Sequence, residues 1–251
     1  MFFFDLGIEG YDFMPCSSLL ACLKELAIVS DVHANLEAFE AVLAEAPGLD
    51  IICLGDLVDY GANPNEVVDV VRNRGIRTVM GNHDWAVVSG DTSLFNARAA
   101  MSSIWTRAHL TRQNVEFIRT LVPELYTPFE LAEAYFTHGS PDDRLWEYVD
   151  PRTHSDLFGH YLAKLGVRII GLGHTHVPYV WKEEDKLVFN PGSVGQPRDG
   201  DPRASFAVLT VEEQEASADI RRVEYNVQKA ASKIREAGLP ESHASRLFSG
   251  T

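Results

Sequence analysis

From Leu26 onward, apolar runs and amphipathic stretches alternate along the chain. LAIVS (26–30) is a short apolar run that stops at Asp31, as a buried strand does. Residues 35–46 place Leu36, Phe39, Val42 and Leu43 at helical spacing behind Asn35, a residue suited to cap a helix, and Pro47 and Gly48 end the pattern. DIICLG (50–55) predicts a second strand. Residues 63–75 predict a helix with Asn63 as cap, Pro64 in its first turn and Gly75 as its stop. IRTVMG (76–81) predicts a third strand. This β-α-β-α-β rhythm specifies a parallel or mixed sheet with helices on its faces.

The remainder continues in mixed fashion. Residues 85–122 read as mainly helical, with Trp85, Phe95, Ile104, Trp105, Phe117 and Ile118 as packing positions. LYTPFEL (125–131) and EAYFTHG (133–139) read as strands, 153–165 as a helix, and 167–176 as a strand running into a polar cluster. Residues 179–193 predict a hairpin turning near Glu184 and Asp185. A strand pair at 204–211 and 217–226 and a helix at 226–238 follow. With no repeat and no linker-like stretch, the reading is an extension (1–25, irregular or an added packing segment), one domain (26–238) and a polar tail (239–251).

Composition narrows the function. The 251 residues are 45% apolar and 23% charged, enough for one α/β domain with a sizeable core. No stretch approaches the ~20 apolar residues of a membrane helix. The formal net charge of −14 argues against a stable nucleic-acid complex and against a nuclease acting on long polymers, for which a basic stripe is wanted. Cys16, Cys22 and Cys53 form no disulfide framework and no zinc knuckle, which fits reduced thiols in a cytoplasmic protein. The N-terminus lacks the basic segment of a signal peptide.

In α/β sheets ligands collect beyond the carboxyl ends of the strands. There the sequence offers DVHAN, GDLVD, GNHD, THG and GHTH, carrying Asp31, His33, Asp56, Asn82, His138, His174 and His176. Each cluster alone reads as a cap or a turn. Together they make two carboxylates, one amide and four imidazoles, a set suited to Mn, Fe, Zn or Co rather than calcium, and too many ligands for one ion.

SDVHAN, GDLVDYG, GNHD, THGS and GHTH, in that order, resemble the calcineurin-like metallophosphoesterase superfamily over residues 26–226. The segment 190–206 and the terminal helix are similar to a small bacterial and archaeal phosphodiesterase branch described as diadenosine-tetraphosphatase-like. Ala34 stands where many relatives carry Gly. The resemblance implies mixed β-sheets in a four-layer α-β-β-α sandwich with the metal site at the strand C-terminal ends. It also implies two divalent transition-metal ions (Mn, Fe, Zn, Co or Ni, with Mn or Fe favoured). Asp31, His33 and His176 would hold one ion, Asn82, His138 and His174 the other, with Asp56 bridging a pair roughly 3.5–4 Å apart. The implied reaction is hydrolysis of a phosphodiester, phosphomonoester or nucleotide anhydride by a metal-activated hydroxide, with diesters favoured.

His83 is assigned as general acid with Asp84 orienting its ring; the alternative is a hydrogen bond from His83 to substrate phosphate. Asn35 and Asp59 read either as phosphate-contacting or supporting groups, or as a cap and a turn residue. Arg198 and Arg203 flank a Gly/Pro-rich loop and either clamp a second phosphate or are solvated. Of these, Asn35 and Arg198 are carried forward as substrate-binding candidates. His109, His154, His160 and His243 read as structural or exposed. The expected partner is a small phosphorylated substrate, a nucleotide or dinucleotide among the options, with homo-oligomerisation left open. The competing reading is a non-catalytic scaffold that keeps the fold; such proteins typically lose ligands, and here none is missing.

Overall fold

The computed structural model describes residues 24–128, 133–212 and 215–251. In chain order the elements are β1 (Lys24–Val29), α1 (Leu36–Glu45), β2 (Asp50–Cys53), α2 (Pro64–Arg74), β3 (Arg77–Thr78), α3 (Asn82–Ser89), α4 (Ala97–His109) and α5 (Arg112–Ile118). Then come β4 (Glu124–Pro128), β5 (Glu133–Thr137), α6 (Pro151–Leu165), β6 (Ile169–Leu172), β7 (Tyr179–Glu183), β8 (Lys186–Asn190), β9 (Ala204–Val211), β10 (Ala216–Val223), α7 (Val227–Glu236) and α8 (Glu241–Arg246).

The strands form two five-stranded mixed sheets, β10-β9-β1-β2-β3 and β4-β5-β6-β8-β7. The alternation of side chains along each strand explains how they stack. On β1, Leu26 and Ile28 face a core shared with Ile52 and Leu209 of the same sheet and with Phe136, Ile169, Leu187 and Phe189 of the other. Ala27 and Val29 point the opposite way, into Phe39 and Val42 of α1 and Val67, Val68 and Val71 of α2. On the far side of the second sheet, Tyr135, Ile170 and Val188 pack on Phe158, Tyr161 and Leu162 of α6. The result is the expected four layers, helix, sheet, sheet, helix. Each fully buried aliphatic or aromatic side chain contributes about 1.5–3 kcal/mol.

Local signals acted largely as read. Asn35 caps α1 by accepting from the Ala38 amide, and Gly75 ends α2 in the left-handed conformation at φ 64°. Asn63 sits at the cap position of α2 but makes no side-chain cap bond; its Oδ1 accepts from Lys233 Nζ at 2.9 Å instead. The third strand is shorter than 76–81. Only Arg77 and Thr78 pair with β2, which itself ends at Cys53, and Val79 makes an isolated bridge to Val122. Ile104 is not a packing position: α4 buries Ala99, Ser102, Ser103 and Thr106 and leaves Ile104 63% exposed on its other side.

The segment after Pro240, read as a polar tail, is helical. It forms α8, whose His243 and Ala244 are buried, as is the C-cap Leu247; Ala244 and Leu247 lie beside Ala230, Ala231 and Ile234 of α7. Positions 243, 244 and 247 share one helical face, which a polar composition concealed. The N-terminal extension read at 1–25 lies outside the described residues except for its last two positions, which open β1. Among the described residues no helix is long and apolar enough to cross a membrane.

Candidate metal centre

Five strands deliver the polar clusters to one place. β1, β2 and β3 run parallel in the first sheet, and β5 and β6 run parallel in the second. The residues just past their carboxyl ends meet where the two sheets face each other. The backbone there is unusual: Asp31, His33, Ala34, Asp56, Asp59, Tyr60, His174 and His176 all have φ between 47° and 70°. Non-glycine residues reach that left-handed region at a cost, and such strain is held only where surrounding structure over-determines it. Interlocking amide bonds do so here: Asp31 N–H to Gly55 O, His33 N–H to Asp56 O, Ala34 N–H to Leu57 O and Gly195 N–H to Asp31 O, all within 3.0 Å. Ala34, flagged as a departure, adopts φ 50° with its methyl buried.

Two groups of donors converge. In the first, His176 Nε2 lies 3.2 Å from Asp31 Oδ1 and 3.1 Å from His33 Nε2, which is 3.6 Å from Asp56 Oδ2. In the second, His138 Nε2 lies 3.3 Å from the same Asp56 Oδ2, 3.0 Å from Asn82 Oδ1 and 3.1 Å from His174 Nδ1. All seven residues are buried. The same atom of Asp56 is thus common to both groups.

The far nitrogen of every ring is already committed. His33 Nδ1 donates to Val58 O at 3.0 Å, His138 Nδ1 to Leu54 O at 2.7 Å, His176 Nδ1 to Gln196 O at 2.6 Å and His174 Nε2 to Trp146 O at 3.2 Å. A carbonyl can only accept, so each neutral ring turns its lone pair towards the centre. His33 and His176 therefore face each other as two acceptors, which cannot bond to one another. Asp31 Oδ1 and Asp56 Oδ2 are buried with no hydrogen-bond partner, although Asp31 Oδ2 accepts from Ser30 Oγ and Asp56 Oδ1 from the His83 amide. Orphaned buried acceptors facing one another are costly unless a cation lies among them. Both donor groups suit a divalent metal ion.

Charge states agree. Burial would raise Asp31 and Asp56, but His176 beside the first and His138 beside the second hold both well below the ordinary carboxylate range. Burial and neighbouring imidazoles lower His33, and His174 to about 3. Burial, helped by Arg198, lowers His176. His138 is the exception: burial would lower it, but Asp56 outweighs that and lifts it to about 9.

The structure separates the other candidates. His83 is oriented by Asp59, not by Asp84: Asp59 Oδ2 accepts from His83 Nδ1 at 2.8 Å. The Asp84 carboxylate instead accepts the backbone amides of Asp56, Leu57 and Gly81 at 2.8, 2.9 and 3.1 Å, and so fixes the loop that presents Asp56. Burial and nearby Asp56 raise Asp84 to about 7. The difference arises because Asp84 lies in the first turn of α3, aimed at amides, while Asp59 approaches across the cleft. Asn35 acts as the helix cap that was its other reading. Its Oδ1 caps α1 and its Nδ2 donates to Gly195 O at 2.9 Å, which leaves it engaged with the protein. Arg198 does sit at the site, 6.0 Å from the centroid of Tyr60, whereas Arg203 is paired with Asp201.

Of the aromatic wall, sequence reasoning named Phe95 as a packing position and missed Tyr60 and Tyr148. The Tyr60 ring lies 4.5 Å from His33 and 4.6 Å from His83, Phe95 stacks on His83 at 4.4 Å, and Tyr148 stacks on His174 at 3.9 Å. Tyr60 follows Asp59 directly within a quoted cluster, a signal that was available. Tyr148 carries none.

Comparison with known proteins places this geometry. Residues 25–214 match the calcineurin-like phosphoesterase superfamily domain. An uncharacterized protein of Methanocaldococcus jannaschii is 36% identical over 245 residues, which cover 90% of this chain and 98% of that one. A metallophosphoesterase from Sphaerobacter thermophilus has a crystal structure similar at a TM-score of 0.77 and 36% identity, over 91% of this chain and all of that one. A Pyrococcus horikoshii protein shares the fold at a TM-score of 0.80 and 19% identity, covering 90% and 98% of the two chains. A match across most of its length, together with relatives of similar size, makes the chain a member of the calcineurin-like phosphoesterase superfamily.

Proposed function

We propose that the protein is a binuclear-metal phosphoesterase, acting on a phosphodiester, phosphomonoester or nucleotide anhydride, with diesters favoured. The observation that carries the reading is the pair of facing acceptors His33 Nε2 and His176 Nε2 beside the orphaned Asp31 Oδ1 and Asp56 Oδ2. Asp31, His33 and His176 would hold one ion, Asn82, His138 and His174 the other, and Asp56 Oδ2 both. When bound, divalent ions offset the charge of the phosphate and acidify a water for attack on phosphorus.

The chain's own groups do the rest. The carbonyls of Val58, Leu54, Gln196 and Trp146 fix the rotation and tautomer of each imidazole. His83, tethered to Asp59 through Nδ1, has Nε2 left to give a proton to the departing oxygen. Burial would lower its pKa, but Asp56 and Asp59 raise it, which favours the proton-bearing form that an acid needs. Phe95, stacked on His83, limits its motion and excludes water from one face. Mn or Fe are the favoured ions for this mixed imidazole and carboxylate set.

The test is an assay of metal-stripped protein on bis(p-nitrophenyl) phosphate and p-nitrophenyl phosphate with Mn, Fe, Co, Ni, Zn or Mg restored singly. Metal-dependent turnover, with a preference for the diester, is expected. Two bound ions without turnover on any phosphate ester would favour a binding protein that retains the fold.

A further inference from the structure

Tyr60 touches two regions. One is the candidate metal centre, through His33 and His83; the other is His243 of α8, 4.6 Å away between ring centroids. Beside it lies a cavity of about 280 Å³ lined by Tyr60, Asn96, Ala97, Arg98, His243 and Arg246. Arg198 stands over the same tyrosine ring.

The three arginines are unusual in so acidic a chain. The sequence holds 36 Asp and Glu against 22 Lys and Arg, yet among the described residues no carboxylate pairs with Arg98, Arg198 or Arg246. The acids nearby in sequence are taken by other arginines: Asp199 by Arg222, Asp201 by Arg203 and Glu241 by Arg235. Arg198 Nε is buried with no hydrogen-bond partner. Burial first, and then the adjacent Arg198 and Arg98 guanidiniums, hold Arg246 below the ordinary arginine range. The first turn of α4, which supplies Ala97 and Arg98, adds the positive end of a helix dipole.

The geometry points to a second anion subsite in which Arg98, Arg198 and Arg246 grip a further phosphoryl group of the substrate, one aromatic ring away from the phosphorus that reacts. This deepens the phosphoesterase reading and rests on it. It selects compounds with more than one phosphate, such as oligophosphates, over esters with a single phosphorus, which would leave the cavity empty. Guanidinium forks suit phosphate oxygens in pairs. Arg246 and His243 lie beyond residues 25–214, so part of the subsite comes from outside the segment that matches the superfamily.

Two measurements test it on the full chain. Tripolyphosphate is titrated calorimetrically into metal-stripped wild type, Arg98→Ala and Arg246→Ala. Wild type should bind, and each variant about tenfold more weakly. Next, the metal-restored proteins are assayed on diadenosine tetraphosphate and bis(p-nitrophenyl) phosphate. KM for the oligophosphate should rise about tenfold with kcat retained, and the loss in kcat/KM should be severalfold larger than for the single-phosphorus ester. Equal losses on both substrates, or tripolyphosphate binding indifferent to both substitutions, would overturn the subsite. Because Arg98 is exposed, its variant keeps the test alive should Arg246→Ala fail to fold. If no ester is hydrolysed, the phosphoesterase reading falls, while arginine-dependent tripolyphosphate binding still decides the subsite.

Discussion

Asp59 Oδ2 meets His83 Nδ1 at 2.8 Å in a buried pair contributed by the loop after β2 and the first turn of α3. A carboxylate in that position fixes which nitrogen faces the cleft and supports the imidazolium. Asp59→Ala should lower kcat about 100-fold, within the range of general acid catalysis. The metal content, read by elemental analysis, should stay at the wild-type level. Asp84→Ala should behave differently, since its carboxylate holds amides of the loop that carries Asp56: metal content and kcat should fall together. Equal behaviour of the two variants would remove the distinction.

Asp56 Oδ2 serves both donor groups, so its loss should be felt at both. Manganese at 100 times its dissociation constant should stabilise wild type by about 2.7 kcal/mol for each ion bound, seen as a rise in melting temperature. Asp56→Asn should show half that rise or less, with activity down at least about 100-fold. A full shift with Asp56→Asn would show that the shared oxygen is dispensable.

Gly81 packs its Cα against the Asp56 backbone and carboxylate, and a Cβ there would overlap Asp56 Oδ1 and N. Neither backbone nor ligand can yield cheaply. Gly81→Ala should destabilise the fold by about 2 kcal/mol or more, measured in urea, and should release metal from the centre. Gly75→Ala is the contrast. Its Cβ meets open space, but φ is 64°, so its cost, about 1 kcal/mol, should be conformational only.

Glu37 of α1 forms ion pairs with Lys233 Nζ at 2.6 Å and Lys229 Nζ at 3.1 Å, both from α7. Burial would raise its pKa, but the two ammonium groups outweigh that and hold it lower. A carboxyl lowered on folding adds stability above its unfolded value near 4.3, and that stability is lost as pH falls through the folded value. Because the lysines are partly exposed, the contribution should be about 1 kcal/mol, or roughly 2–4 °C. Melting of wild type and Glu37→Gln should differ by that amount at pH 7 and converge below pH 4.

The layers were legible because burial is periodic. Leu26 and Ile28 against Ala27 and Val29 already encode two faces, and the polar clusters fall where strands must end. The orientation of His83 was not legible. Asp84 is its neighbour in sequence, but the partner is set by where the loop after β2 carries Asp59, and that path depends on left-handed residues that no periodicity announces. Asn35 carried two readings for a related reason, since a cap and a phosphate contact ask for the same side chain. α8 was hidden by composition, although His243, Ala244 and Leu247 share one face.

The anchoring of the four imidazoles has a consequence for mutational tolerance. Val58, Leu54, Gln196 and Trp146 hold the rings with main-chain oxygens, which every amino acid possesses. Evolution can exchange those four side chains, so far as these bonds are concerned, without turning a ligand. Centres anchored by carboxylate side chains have no such latitude. The orienting shell can therefore drift out of sight in sequence comparisons while its grip on the histidines persists.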